Sequence, residues 1–167
     1  MAYPKAVALS PGNQVHITTY HPSFVAAPIV PGLDTHNKHY LLNLDGELLY
    51  AEIAVVRLFE REGWGAVWVD NYRKRFRREQ PQKGVENSLT LPEAQQEALR
   101  RISGGELFRT GTWDIFAWHE DDVAFAELKL RASSDHLREN QIAFLKDAHS
   151  MGVPFHNFLI IEWDKPQ

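Results

Sequence analysis

The chain contains no cysteine, which excludes disulfides, cysteine-ligated zinc and iron–sulfur centres. Any metal it binds must be held by oxygen or histidine. It has no apolar run near the roughly 18 residues that a membrane-spanning helix needs, and no cationic-then-apolar leader. Neither a membrane span nor a signal peptide is indicated, so an intracellular, cytoplasmic protein is expected. The phosphate-cradling GxxxxGK loop and the GxSxG nucleophile elbow are absent. The net charge of −4 argues against a protein that coats nucleic acid through bulk electrostatics.

What is present suits a compact enzyme. With 167 residues, 44% hydrophobic content and five Trp, the chain can bury a core as one domain. Residues 1–44 carry five of the nine prolines with scattered β-branched residues, and read as an irregular arm with one or two short strands. The eight histidines include His36-Asn37-Lys38-His39, but without the acidic partner of a metalloprotease helix they read as loop residues. Asp45-Gly46 makes a turn. Glu47 to Glu62 then shows a helical apolar period ended by Gly63, and Trp64 to Val69 reads as a strand. Thr90-Leu91-Pro92-Glu93 is a capping-box pattern opening an inserted helix to about Ile102, stopped by Gly104-Gly105.

The most informative stretch joins Gly111-Thr112-Trp113-Asp114 to Glu127-Leu128-Lys129, thirteen residues beyond the aspartate. Both lie at strand-like apolar runs, and a buried charge is costly unless paired. Val123 to Leu130 alternates faces, so Val123, Phe125, Glu127 and Lys129 point one way. Trp113 to Trp118 is a second strand, and His119-Glu120-Asp121-Asp122 reads as a four-residue hairpin loop. Pairing Trp118 with Val123 puts Phe116 opposite Phe125 and Asp114 opposite Glu127, with Cβ atoms about 5 Å apart. Two carboxylates that close repel, and a shared Mg2+ or Mn2+ resolves the repulsion. An isolated Glu-x-Lys is more commonly an ion pair at a sheet edge. The register and the flanking segments favour a site.

Downstream, Ser134-Asp135-His136-Leu137-Arg138-Glu139-Asn140-Gln141 opens a helix capped at Ser134 or Asp135 and running to about Ser150, before a last strand at Asn157 to Trp163. Aspartate, Glu-x-Lys and this helix together resemble the PD-(D/E)XK nuclease superfamily, most closely its VRR-NUC branch, over roughly Leu48 to Trp163. The resemblance implies an α/β fold with a restriction-endonuclease-like αβββαβ core. That core would be a small mixed sheet flanked by helices, spanning residues 45–167, with an insertion at about 71–111 and the arm of residues 1–44 packed on it. It implies that Asp114, Glu127 and the Leu128 carbonyl hold the metal, that Lys129 orients the attacking water, and that Gln141 borders the site. It further implies that Glu52, on the first core helix, joins them. The usual proline before the aspartate is Trp113 here.

Tyr72-Arg73-Lys74-Arg75-Phe76-Arg77-Arg78 places five of the 18 basic residues in seven positions. Arg73, Lys74, Arg75, Arg77 and Arg78 could neutralise phosphates while Tyr72 or Phe76 stacks on an unpaired base, or they could form a solvated loop. The expected function is metal-dependent hydrolysis of DNA, with branched or junction DNA and a homodimer implied by the resemblance. The alternative is a non-catalytic nucleic-acid-binding or assembly protein retaining the fold.

Overall fold

The computed structural model describes residues 1–34, 38, 40–131 and 136–164. The described residues form a mixed α/β structure with two sheets and three α-helices. In chain order the strands and helices are β1 Ala2–Ser10, β2 Asn13–Tyr20, β3 Val25–Pro28, β4 Tyr40–Leu44, β5 Glu47–Leu49, α1 Ala51–Arg61, β6 Gly65–Asp70, β7 Arg75–Arg77, α2 Glu93–Ile102, β8 Ile115–His119, β9 Asp122–Leu130, α3 Glu139–Ser150 and β10 Phe158–Trp163. Seven strands form the main sheet in the order β1-β2-β10-β9-β8-β6-β7, and β3-β4-β5 form a smaller one. β10 runs parallel to both β2 and β9, while the other pairs are antiparallel.

Strand alternation gives the main sheet two unlike faces. One carries Phe116, Phe125, Phe158, Val67 and Ile160, packed with Leu99 and Ile102 of α2 and Phe144, Leu145 and Ala148 of α3. Ring centroids at 5.4 Å for Phe116–Phe125, 5.6 Å for Phe125–Phe158 and 5.0 Å for Phe125–Phe144 tie this face together. The other face carries Ala66, Ala117, Ala124 and Ala126 beside Ile115, Leu128 and Ile161, and α1 lies on it with the small sheet. Six consecutive residues of α1, Ala51 to Val56, are buried, so the helix is covered on more than one side. Glu52 is therefore inside the protein.

Several expectations are corrected. Residues 1–44 are not an irregular arm, because β1 and β2 form a hairpin through Gly12 (φ 77°) that extends the main sheet. Their mostly exposed alternation hid them, and Pro4 lies in the outermost strand, where a missing ladder donor is tolerated. The sheet is thus larger than the small one expected. The helix does not start at Glu47: Asp45 and Gly46 have left-handed backbones (φ 53° and 92°) and close a hairpin, so Glu47–Leu49 pair with β4 instead. The 71–111 insertion gives β7 to the edge of the main sheet. Its helix opens at Glu93 after Pro92 with no side-chain cap, which sets aside the Thr90 capping box. The β8–β9 loop has two residues rather than four, because His119 pairs with Asp122 and Glu120 takes a positive φ.

If the N-terminal hairpin is part of the core, Ile17, which is fully buried in β2, should carry stability. Ile17→Ala is expected to lower the unfolding free energy by about 2–5 kcal/mol in a guanidinium titration. A change below about 0.5 kcal/mol would mean that the hairpin is peripheral.

Candidate active site

The ladder between β8 and β9 keeps the expected register, with Trp118 opposite Val123 and Phe116 opposite Phe125, and ends at Ile115 opposite Ala126. One step further, side chains replace backbone partners. The Asp114 amide donates to Glu127 Oε2 at 3.2 Å, and the Leu128 amide donates to Asp114 Oδ2 at 2.9 Å. Each carboxylate thereby caps the other strand, and the two acids are fixed beside each other where the aromatic face ends. Burial, then the charges of Glu127 and Glu52, raise the Asp114 pKa well above the usual carboxylate range. Burial also raises that of Glu127, against the opposing pull of Lys129.

Lys129 and Gln141 complete the cluster. Lys129 Nζ is 3.0 Å from Glu127 Oε1 and donates to Gln141 Oε1 at 3.3 Å, while Gln141 Nε2 donates to Glu127 Oε1 at 2.5 Å. Gln141 also accepts from the Arg138 amide at 2.9 Å, so one side chain caps α3 and aims the lysine. The helix begins at Glu139, later than expected, and Ser134 and Asp135 lie outside the described residues.

Trp113, in place of the proline of the resembled motif, is fully buried. Its indole N–H donates to the Gln141 carbonyl at 3.1 Å, and its ring meets Phe158 edge-on at 5.1 Å. The residue before the aspartate thus clamps the first turn of α3. Gly111 allows the same approach: its φ is 91°, and a Cβ there would lie 2.3 Å from the Asn140 carbonyl oxygen.

Glu52 reaches the cluster from α1, and its charge is felt at Asp114. Its Oε1 accepts from Lys38 Nζ, whereas Oε2 is buried with no hydrogen-bond partner among the described residues. Lys38 and Asp70 are the two members that the pattern reading missed. Asp70 ends β6 and binds Arg77 Nε at 2.9 Å in a buried ion pair. A charge closing the apolar run Val67-Trp68-Val69 is the same signal that marked Glu127 and could have found it. Lys38 precedes β4 from a loop, where no periodicity marks a residue. His36, Asn37 and His39 beside it lie outside the described residues.

The basic run disperses. Arg77 is buried on Asp70, and Phe76 is buried against Phe108 with centroids 4.6 Å apart, so neither faces a nucleic acid. Arg73 pairs with Asp34, Arg75 lies 3.7 Å from Glu86, and Arg78 lies 2.6 Å from Glu60. Lys74 is exposed, as is Tyr72 at 93% of its surface.

The donors fit a hard cation: Asp114, Glu127 and Glu52 supply only oxygen, and one Glu52 oxygen is buried and unsatisfied. Among the described residues, no three His, Cys, Asp or Glu side chains are grouped so that they could hold a metal ion as they stand. No helix among them is long and apolar enough to cross a membrane. No family model matches the chain, and neither a curated protein nor a solved structure matches it.

Because the folded state holds protons on Asp114 and Glu127 more tightly than the unfolded chain does, the pair's contribution is most favourable below the ordinary carboxylate pKa of about 4. It is lost as pH rises from there through the raised folded values. Asp114→Asn keeps an acceptor for the Leu128 amide and removes the repulsion. Thermal unfolding in chelator should show the variant melting a few degrees above the native chain at neutral pH, where about 1 kcal/mol moves Tm by roughly 2–4 °C. The gap should close toward pH 4; equal melting at every pH would refute the strain. Gly111→Ala should lose at least about 1–2 kcal/mol from its left-handed backbone alone. Native-like stability in urea would contradict the close approach to α3.

Proposed function

We propose that the protein is a Mg2+- or Mn2+-dependent nuclease that hydrolyses DNA phosphodiester bonds. The observation that carries this reading is the reciprocal exchange between Asp114 and Glu127, which holds a half-buried acid against a buried one beside Lys129. A buried acid held against a second carboxylate lowers stability, and such arrangements cluster where chemistry is done. The run α1, β6, β8, β9, α3, β10 supports a restriction-endonuclease-like core, since it presents the helix, three strands, helix and strand that the motif implies.

In this reading Asp114 and Glu127 hold the cation, with Glu52 and the Leu128 carbonyl as further ligands. Such an ion, when bound, supplies positive charge to phosphate oxygens and acidifies a water molecule. Lys129 orients the attacking water and adds its own charge to the developing phosphate charge. Gln141 bonds both Lys129 and Glu127, so ammonium and carboxylate keep one mutual orientation. Arg73, Arg75 and Arg78 sit in exposed pairs, which contribute little to stability, and a phosphate can take the place of their carboxylates. Lys74 and Tyr72 flank them, with Tyr72 offering its ring to an unpaired base.

The test is cleavage of labelled duplex, single-stranded and four-way-junction DNA in Mg2+ or Mn2+. Lys129→Ala and Asp114→Asn are each expected to reduce the rate by about 100-fold or more, with DNA binding in chelator retained. A native chain that binds these substrates and cuts none of them would instead be a non-catalytic nucleic-acid-binding protein.

A further inference from the structure

Lys38 touches Glu52, one of the acids of the proposed metal site, and the nuclease reading gives it no role. Its ammonium bonds Glu52 Oε1 and lies 5.6 Å from the centre of the Trp68 ring, and the charges of Asp114 and Asp70 act on it as well. Glu52 is almost wholly enclosed, with 9% of its side chain exposed against 32% for Lys38. The lysine thus enters from the open side and ends on a buried acid.

The charge balance is uneven. Counted with every acid ionised and among the described residues, Glu52, Asp70, Asp114 and Glu127 bring four negative charges, and Lys38, Arg77 and Lys129 bring three positive ones. On that count one negative charge remains, and one buried Glu52 oxygen has no donor among the described residues. A divalent ion added to the full set would overshoot neutrality. Exchanged for the Lys38 ammonium, it would reach it, and it could engage the Glu52 oxygen that the lysine leaves.

We propose that the Lys38 ammonium is a built-in placeholder for the divalent cation, seated against Glu52 and near Asp114 until the ion displaces it. The proposal rests on the metal-dependent reading of the site and adds how occupancy is controlled. The apparent metal affinity contains the work of breaking the Lys38–Glu52 pair, so the ion enters only where its concentration exceeds that threshold. It also gives the metal-free protein a partner for an otherwise uncompensated buried carboxylate, which would be strongly unfavourable.

The experiment is calorimetric titration of Mn2+ into the native chain, Lys38→Met, Lys38→Gln, Lys83→Met and Asp114→Asn, with circular dichroism to check folding. Lys38→Met keeps an apolar stem over Trp68 and removes the charge. Lys83→Met, on an exposed loop residue, controls for net charge. The expected result is Mn2+ binding about 10-fold tighter in Lys38→Met than in the native chain, unchanged in Lys83→Met and much weaker in Asp114→Asn. Lys38→Gln, which retains a hydrogen bond to Glu52, should fall between native and Lys38→Met, and decides the matter if Lys38→Met does not fold. Native binding abolished by Asp114→Asn but not tightened by either Lys38 variant would overturn the placeholder and leave the nuclease reading standing. Absence of Mn2+ binding in the native chain and both Lys38 variants would overturn the metal site itself, and the placeholder with it.

Discussion

Two carboxylates take over the hydrogen bonds that a β-ladder would otherwise make. Beyond Ile115 the backbone pairing of β8 and β9 stops, and Asp114 and Glu127 each bind an amide of the opposite strand. This fixes both side chains without an additional structural element. It also forces two like charges together in one corner, with Glu127 buried and Asp114 half-buried. Everything else around the corner answers that imbalance: Lys129 from the same strand, Gln141 from α3, and Lys38 through Glu52 from the far side.

The support for this corner comes from groups that carry no charge. Trp113 donates to the carbonyl of Gln141, and Gly111 lets the chain touch Asn140. Strand and helix are therefore joined at one point, so that Gln141 can serve as helix cap and as guide for Lys129. Arg77 on Asp70 plays a similar part at the end of β6. The pair is buried, and breaking it would strand a charge at a cost of about 3–5 kcal/mol.

Much of the corner was legible in the sequence, because a two-residue period with charges at its end has few interpretations. Trp118 opposite Val123 fixes the partner of every residue back to Ile115, and the acids follow from that count. The N-terminal hairpin was not legible: its strands are mostly exposed, and only Val7, Ile17 and Thr19 among their residues are buried. Leu48 and Leu49 fit a helical pattern as well as a strand, and the Asp45-Gly46 turn decided for the strand. Lys38 lay beyond any local rule, since its partner is fourteen residues away across a strand pair. Of the basic run, the sequence showed the density of charge but not the acids, Asp34, Glu60, Asp70 and Glu86, that the fold brings to it.

The four alanines on the α1 face bear on more than packing. Ala66, Ala117, Ala124 and Ala126 present single methyl groups to the helix side of the sheet, so the layer between helix and strands is thin. Glutamate is a short arm, and the thinness of that layer sets how far Glu52 extends past the sheet's end. These methyl groups thus act as a ruler for the acidic corner, and bulkier side chains there would lift the helix and withdraw the acid.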